Sequence, residues 1–190
     1  MPLSPVGIVR TWPVGQLAEL PVGPWLVVHA KPRQDKMLAR LLAFRGPPGV
    51  QFLEKRTRRY PGKGTQTSEV PLMSGYLFIA GGDELRDQLY ATERVVRIMR
   101  VLEPEQLRQD LLDLAQLITI GPGPLEVRPE LVAGMRVQLT GGSLAGLSGV
   151  VTRRQGITEL VVNVRMLGTA VSIRCSAMDI EQAVELPVSA

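Results

Sequence analysis

One histidine and one cysteine are all that the 190-residue chain offers among the side chains that most often do covalent or metal chemistry. His29 has no second histidine with which to share a metal, and no nucleophile stands paired with an acid or base. The pattern therefore implies no catalytic centre, no metal site and no cofactor. The lone Cys175 excludes an intrachain disulfide and a cysteine-cluster metal site. Alternation around it puts it on the apolar face of a strand, the setting of a buried thiol. What the sequence does concentrate is positive charge. Lys31, Arg33, Lys36, Arg40, Arg45, Lys55, Arg56, Arg58, Arg59 and Lys63 face only Asp35 and Glu54 over the same stretch. That is a local charge of +8 in a chain whose net charge is +4, which leaves −4 for the remainder. A basic surface beside a mildly acidic remainder suits a polyanionic partner for the first half of the chain.

Those cations need elements to hold them. Residues 1–22 are rich in proline and glycine and read as a flexible extension, in which Trp12 is the one residue suited to dock on a body. Order is predicted to start with the apolar strand Trp25-Leu26-Val27-Val28-His29-Ala30. A helix follows, with Leu38, Leu41 and Leu42 on its core face, and Gly46-Pro47-Pro48-Gly49 stops it. Residues 50–53 make a second strand. It runs into the basic segment 55–59, the turn Pro61-Gly62-Lys63-Gly64 and a return over 65–70, which together predict a protruding basic hairpin. Tyr76 and Phe78 share one face of the strand 75–80. Asp83 is placed to cap a short helix, residues 95–102 form a further strand, and Pro104 opens a helix whose stripe is Leu107, Leu111, Leu114 and Ile118. Residues 121–130 are a linker by composition. Then come short strands entered through glycines, with Val162 and Val164 alternating with Asn163, and Val171 and Ile173 alternating with Ser172. Such alternation marks strands with one buried face, and their spacing suits a small barrel.

The totals bound the rest. Hydrophobic content of 45% supports a core, and aromatic content of 4% makes that core aliphatic. No apolar run approaches the ~20 residues of a membrane span. The N-terminus lacks the pattern of a signal peptide, so a cytoplasmic protein with no membrane partner is expected.

Residues 134–182 resemble the KOW domain of the NusG family: Gly134-Met135-Arg136-Val137, then Gly141 to Val151 and two more strands. The first half resembles the family's N-terminal (NGN) domain. Trp25 to Lys36 is similar to its opening strand and helix start, and Lys31-Pro32-Arg33-Gln34 is similar to the specialised RfaH and polysaccharide-operon paralogs. Pro71-Leu72-Met73-Ser74-Gly75-Tyr76-Leu77-Phe78-Ile79 resembles the central strand, with Ser74 where proline is usual. The resemblance covers residues 25–182.

It implies an α+β protein: an extension over 1–22, an NGN α/β sandwich over 23–120, a linker over 121–130, an SH3-like β-barrel (KOW) over 131–183 and a tail over 184–190. It implies a transcription elongation and antitermination factor, not an enzyme, that binds the clamp helices of RNA polymerase through Tyr76, Phe78 and His29. Lys31, Arg33, Arg40, Arg45 and Arg94 would face the non-template DNA strand, with the hairpin residues Arg56, Arg58, Arg59 and Lys63 meeting DNA or polymerase. Thr92 and Arg94 lie in a loop that reads flipped bases in the RfaH type, although Glu93 between them repels phosphate. Leu85-Arg86-Asp87 replaces the His-Thr-Thr stretch that meets the polymerase gate loop. Met166, Leu167, Gly168 and Thr169 occupy the partner-binding loop, which would recruit a small-subunit ribosomal protein; the absent arginine there argues against Rho. Two alternatives stay open: a ribosome-associated or RNA-binding KOW protein, and a housekeeping NusG in place of an operon-specific paralog.

Overall fold

The computed structural model describes residues 7–15, 17–62, 64–121, 124–129, 135–141, 144–154, 156–175 and 183–186. The molecule is α+β. Among the described residues, three α-helices accompany two antiparallel sheets of six strands each. The chain divides into two compact units, one over Gly7–Gln106 and one containing Leu107–Ala190.

The first unit runs β1 (Gly7–Trp12), β2 (Trp25–Ala30), α1 (Asp35–Arg45), β3 (Gly49–Tyr60), β4 (Gly64–Pro71), β5 (Tyr76–Ala80), α2 (Arg86–Tyr90) and β6 (Val95–Arg100). Its sheet order is β1-β3-β5-β2-β6, with β4 paired to β3. β2 is apolar apart from His29 because it lies between β5 and β6, and every one of its residues except His29 is buried. Leu26, Val28, Leu77, Ile79 and Ile98 pack with Leu38, Ala39 and Leu42 of α1 and Leu89 of α2. Each large aliphatic side chain buried there contributes roughly 1.5–3 kcal/mol.

Three expectations change in this unit. Proline and glycine content predicted an extension over residues 1–22, but Gly7–Trp12 is a strand, paired with β3 from Gly7↔Glu54 to Trp12↔Gly49. Trp12 is its anchor: the side chain is buried, its indole N–H donates to Pro47 O at 2.7 Å, and the ring lies against Gly49. A Cβ there would stand 2.5 Å from the indole, so only glycine admits it. Leu41, expected in the core, is 47% exposed. At 100° per residue the core direction lies between Leu38 and Leu42, and Leu41 falls on the flank it shares with Met37 and Phe44. Asp83 does not cap its helix: no side-chain cap bond forms at that end, and Asp83 instead lies 3.6 Å from Arg86 and 3.7 Å from Arg100.

The second unit takes most of α3 (Pro104–Ile120), then β7 (Glu126–Pro129), β8 (Met135–Leu139), β9 (Ser148–Arg154), β10 (Ile157–Val164), β11 (Thr169–Arg174) and β12 (Ala183–Glu185). Its sheet order is β12-β8-β9-β10-β11-β7. The boundary between units falls inside α3, after Gln106, whereas composition placed it in the Gly-Pro stretch from 121. Part of that stretch is itself a strand, since β7 pairs with β11.

The alternation in β10 and β11 predicted one buried face, yet Val161, Ala170 and Ser172 are buried along with Leu160, Val162, Val164, Val171 and Ile173. Arg128 on β7 explains part of the second face. Its guanidinium donates to Glu159 Oε2 at 2.6 Å and to Ser172 Oγ, and it covers both. Cys175 follows the end of β11 and is half-buried, not buried.

Candidate nucleic-acid interface

Three segments far apart in sequence converge where β2 ends. Ala30 N–H donates to Gly75 O at 2.7 Å, and Lys31 N–H donates to Arg94 O at 2.7 Å, so the turn before β5 and the loop before β6 are both tied to the same two residues. Asp35 secures the first of these. It is buried, and its Oδ2 accepts the Gly75 N–H at 3.0 Å while Oδ1 accepts the Lys36 N–H at 2.9 Å. Gly75 has φ of +84°, a conformation that places Tyr76 opposite His29 in the register of β5 with β2. Their rings stack with centroids 4.8 Å apart and planes inclined by 15°.

Of the three residues expected to face the polymerase, His29 and Tyr76 are half-buried and form this pair. Phe78 lies on the same strand face but is only 1% exposed, packed edge-on against Phe52 at 6.0 Å. It is a core residue two positions along the strand from Tyr76 and offers no contact surface of its own.

Beside the pair, the loop after β2 meets the loop after α2. Arg33 and Glu93 both take left-handed backbone, with φ of 63° and 56°. Arg94 donates from its guanidinium to Gln34 Oε1, and the Thr92 hydroxyl donates to Leu89 O at 2.7 Å. Between the loops lies an open recess of about 220 Å³ lined by Lys31, Gln34, Thr92, Glu93 and Arg94. Two cations, one carboxylate, an amide and a hydroxyl line it, so it carries donors and acceptors in a mildly positive field. Such a mixture suits a polar planar group better than a bare phosphate. Gln34 lay inside a recognised motif, but its part depends on Arg94, sixty residues away, and no local pattern reveals that.

The other cations are distributed more widely. Arg40 is exposed on α1; Arg45 ends that helix, and its side chain lies outside the description. Lys55, Arg56, Arg58 and Arg59 are all exposed on the outer half of β3, with Arg56 Nε 2.8 Å from Glu54 Oε2. Lys63 falls outside the described residues.

In the second unit, Met166 and Leu167 are half-buried in a 3-10 turn, Arg165–Leu167, closed by a bond from the left-handed Gly168 N–H to Arg165 O at 2.9 Å. The Thr169 hydroxyl donates to Leu167 O at 3.2 Å. Asp110 on α3 holds the start of this turn: its Oδ2 accepts the Arg165 N–H at 3.0 Å, and Oδ1 lies 3.3 Å from the guanidinium.

Among the described residues no group of three or more His, Cys, Asp or Glu is arranged to hold a metal, and no helix is long and apolar enough to cross a membrane. In comparisons with known proteins, the chain matches no family model, and no curated protein matches it significantly.

Proposed function

We propose that the protein is a non-enzymatic, cytoplasmic transcription elongation factor of the antiterminator type. In this reading the first unit is an NGN-like domain that engages the clamp helices of RNA polymerase, and the second is a KOW domain whose SH3-like sheet recruits a small-subunit ribosomal protein. The observation that carries it is the convergence at the end of β2. The motif Lys31–Gln34, the turn before Tyr76 and the Thr92–Arg94 loop are three of the segments that carry the resemblance to the NusG family, and they meet at one end of one sheet. Tyr76 and His29 supply the polymerase contact, and Phe78 stays in the core. The recess holds an unstacked base of the non-template strand against Gln34 and Arg94, while Lys31, Arg33 and Arg40 meet its phosphates without sequence choice. A protein so placed acts sterically: it bridges the cleft and disfavours paused states of the polymerase. The turn over Met166–Thr169 presents two half-buried apolar side chains, which suits docking of a protein partner.

The test is binding of the full chain to reconstituted elongation complexes. Tyr76→Ala is expected to weaken binding to core polymerase at least tenfold, about 1.4 kcal/mol, with its unfolding temperature little changed. Lys31→Ala/Arg94→Ala is expected to retain core-polymerase binding and to lose crosslinking to the non-template strand. A folded wild-type chain that ignores polymerase yet binds ribosomal RNA would replace this reading with that of an RNA-binding KOW protein.

A further inference from the structure

The outer half of the β3–β4 hairpin, expected from the resemblance to meet DNA or polymerase, contributes no residue to the recess. Residues 55–60 of β3 and 64–68 of β4 are exposed on both faces of the ribbon, and among the described residues β4 pairs with β3 alone. Such a projection costs backbone order without burying apolar area, so its side chains need another explanation. Their chemistry is one-sided. Residues 55–68 contain five cations and no carboxylate. Glu54 and Glu69 stand only at the root, where Glu54 pairs with Arg56 and Glu69 with Arg10. Cross-strand register sets Arg58 opposite Gln66 on one face and Arg59 opposite Thr65 on the other. Defence of a sheet edge against aggregation needs only a charge or two. Here both faces of the ribbon are basic, and every described partner on β4 from Thr65 to Ser68 is a neutral hydrogen-bonding side chain.

We infer that this ribbon binds double-stranded DNA by entering the major groove. A two-stranded ribbon is one of the two elements that groove admits. Six exposed residues at roughly 3.4 Å each span about 20 Å, a little over half a helical turn of about 34–36 Å. Arg58 and Gln66, side by side, present donors and acceptors of the kind that read base edges, and Arg59 reaches backbone phosphate from the opposite face. The A-form major groove of duplex RNA is too narrow for such a ribbon, and a single strand has no groove. The surface uses none of the recess residues and needs no polymerase, so its success or failure is independent of the elongation-factor reading.

The test is fluorescence anisotropy of the full chain with three labelled probes of one sequence: a 20-base-pair DNA duplex, the matching RNA duplex and the DNA single strand. The wild-type chain is expected to bind duplex DNA at least about tenfold more tightly than duplex RNA. Arg58→Ala/Arg59→Ala is expected to weaken duplex DNA binding and to lower the slope of log affinity against log salt by about 0.9, for the one phosphate that Arg59 no longer neutralises. The same change should leave single-strand binding within about twofold, since the recess stays intact. Arg58→Lys/Arg59→Lys should preserve the slope. Equal wild-type affinity for DNA and RNA duplexes would overturn groove entry. Parallel weakening on duplex and single strand, or no weakening on duplex, would overturn the assignment to this ribbon. Thermal unfolding of each variant checks that the exposed changes leave the fold intact.

Discussion

A Cβ added at Gly75 would stand 3.1 Å from His29 Cδ2, on a backbone whose φ of +84° disfavours any L side chain. Gly75→Ala is therefore expected to destabilise the chain by about 1–3 kcal/mol and to part the His29–Tyr76 stack. Denaturant unfolding reads the first, and the His29 ring resonances read the second. Asp113 on α3 makes a pH-dependent prediction. Burial raises its carboxyl above the ordinary 3.8, against the opposing pull of the Gln109 amide and the positive charges of Arg136 and Arg165. The folded state thus holds its proton to higher pH than the unfolded state does. The contribution to stability is fully present below pH 3.8 and is lost as pH rises through the folded value. Asp113→Asn, which never charges, is expected to be more stable than the wild-type chain at pH 7, and the gain should vanish below pH 3.8. A melting series across that range measures it; a gain that persists in acid would refute burial as the cause.

At the scale of elements, the clasp between α3 and the turn at Arg165 is what ties a helix to a loop fifty-five residues away. Asp110 is 3% exposed, and both of its oxygens serve that turn. Asp110→Ala leaves the Arg165 N–H without its acceptor and the guanidinium without its anion. The expected cost is about 1–3 kcal/mol, with faster hydrogen exchange at the Arg165 amide; unchanged exchange there would show that the turn holds itself. Gln51 offers the opposite case. It is fully buried on β3, and among the described residues neither end of its side-chain amide meets a hydrogen-bond partner. Gln51→Met keeps the volume and removes two unsatisfied polar atoms, so it is expected to stabilise the chain by about 1 kcal/mol or more in denaturant unfolding.

For the whole molecule, what the sequence determined by itself is what short-range physics encodes. The buried runs over residues 25–28 and 77–80 are continuously apolar. The stop of α1 at Gly46 follows from the two prolines after it, and the exposed hairpin follows from a turn set between two polar legs. Each depends on neighbours a few residues away, as does the concentration of charge between residues 31 and 63. Tertiary structure decided the rest, because burial belongs to whatever covers a residue and not to the residue. Tyr76 and Phe78 have the same strand parity, yet Phe78 is buried with its ring against Phe52 and Tyr76 is left half-open. Residues 7–12 look like an extension until β3 offers an edge and Gly49 leaves space for Trp12. The recess requires Gln34 and Arg94 to meet across sixty residues, and the second covered face of β10 requires Arg128 to reach Glu159. Periodicity reports which residues share a face; only the assembled chain reports what lies against it.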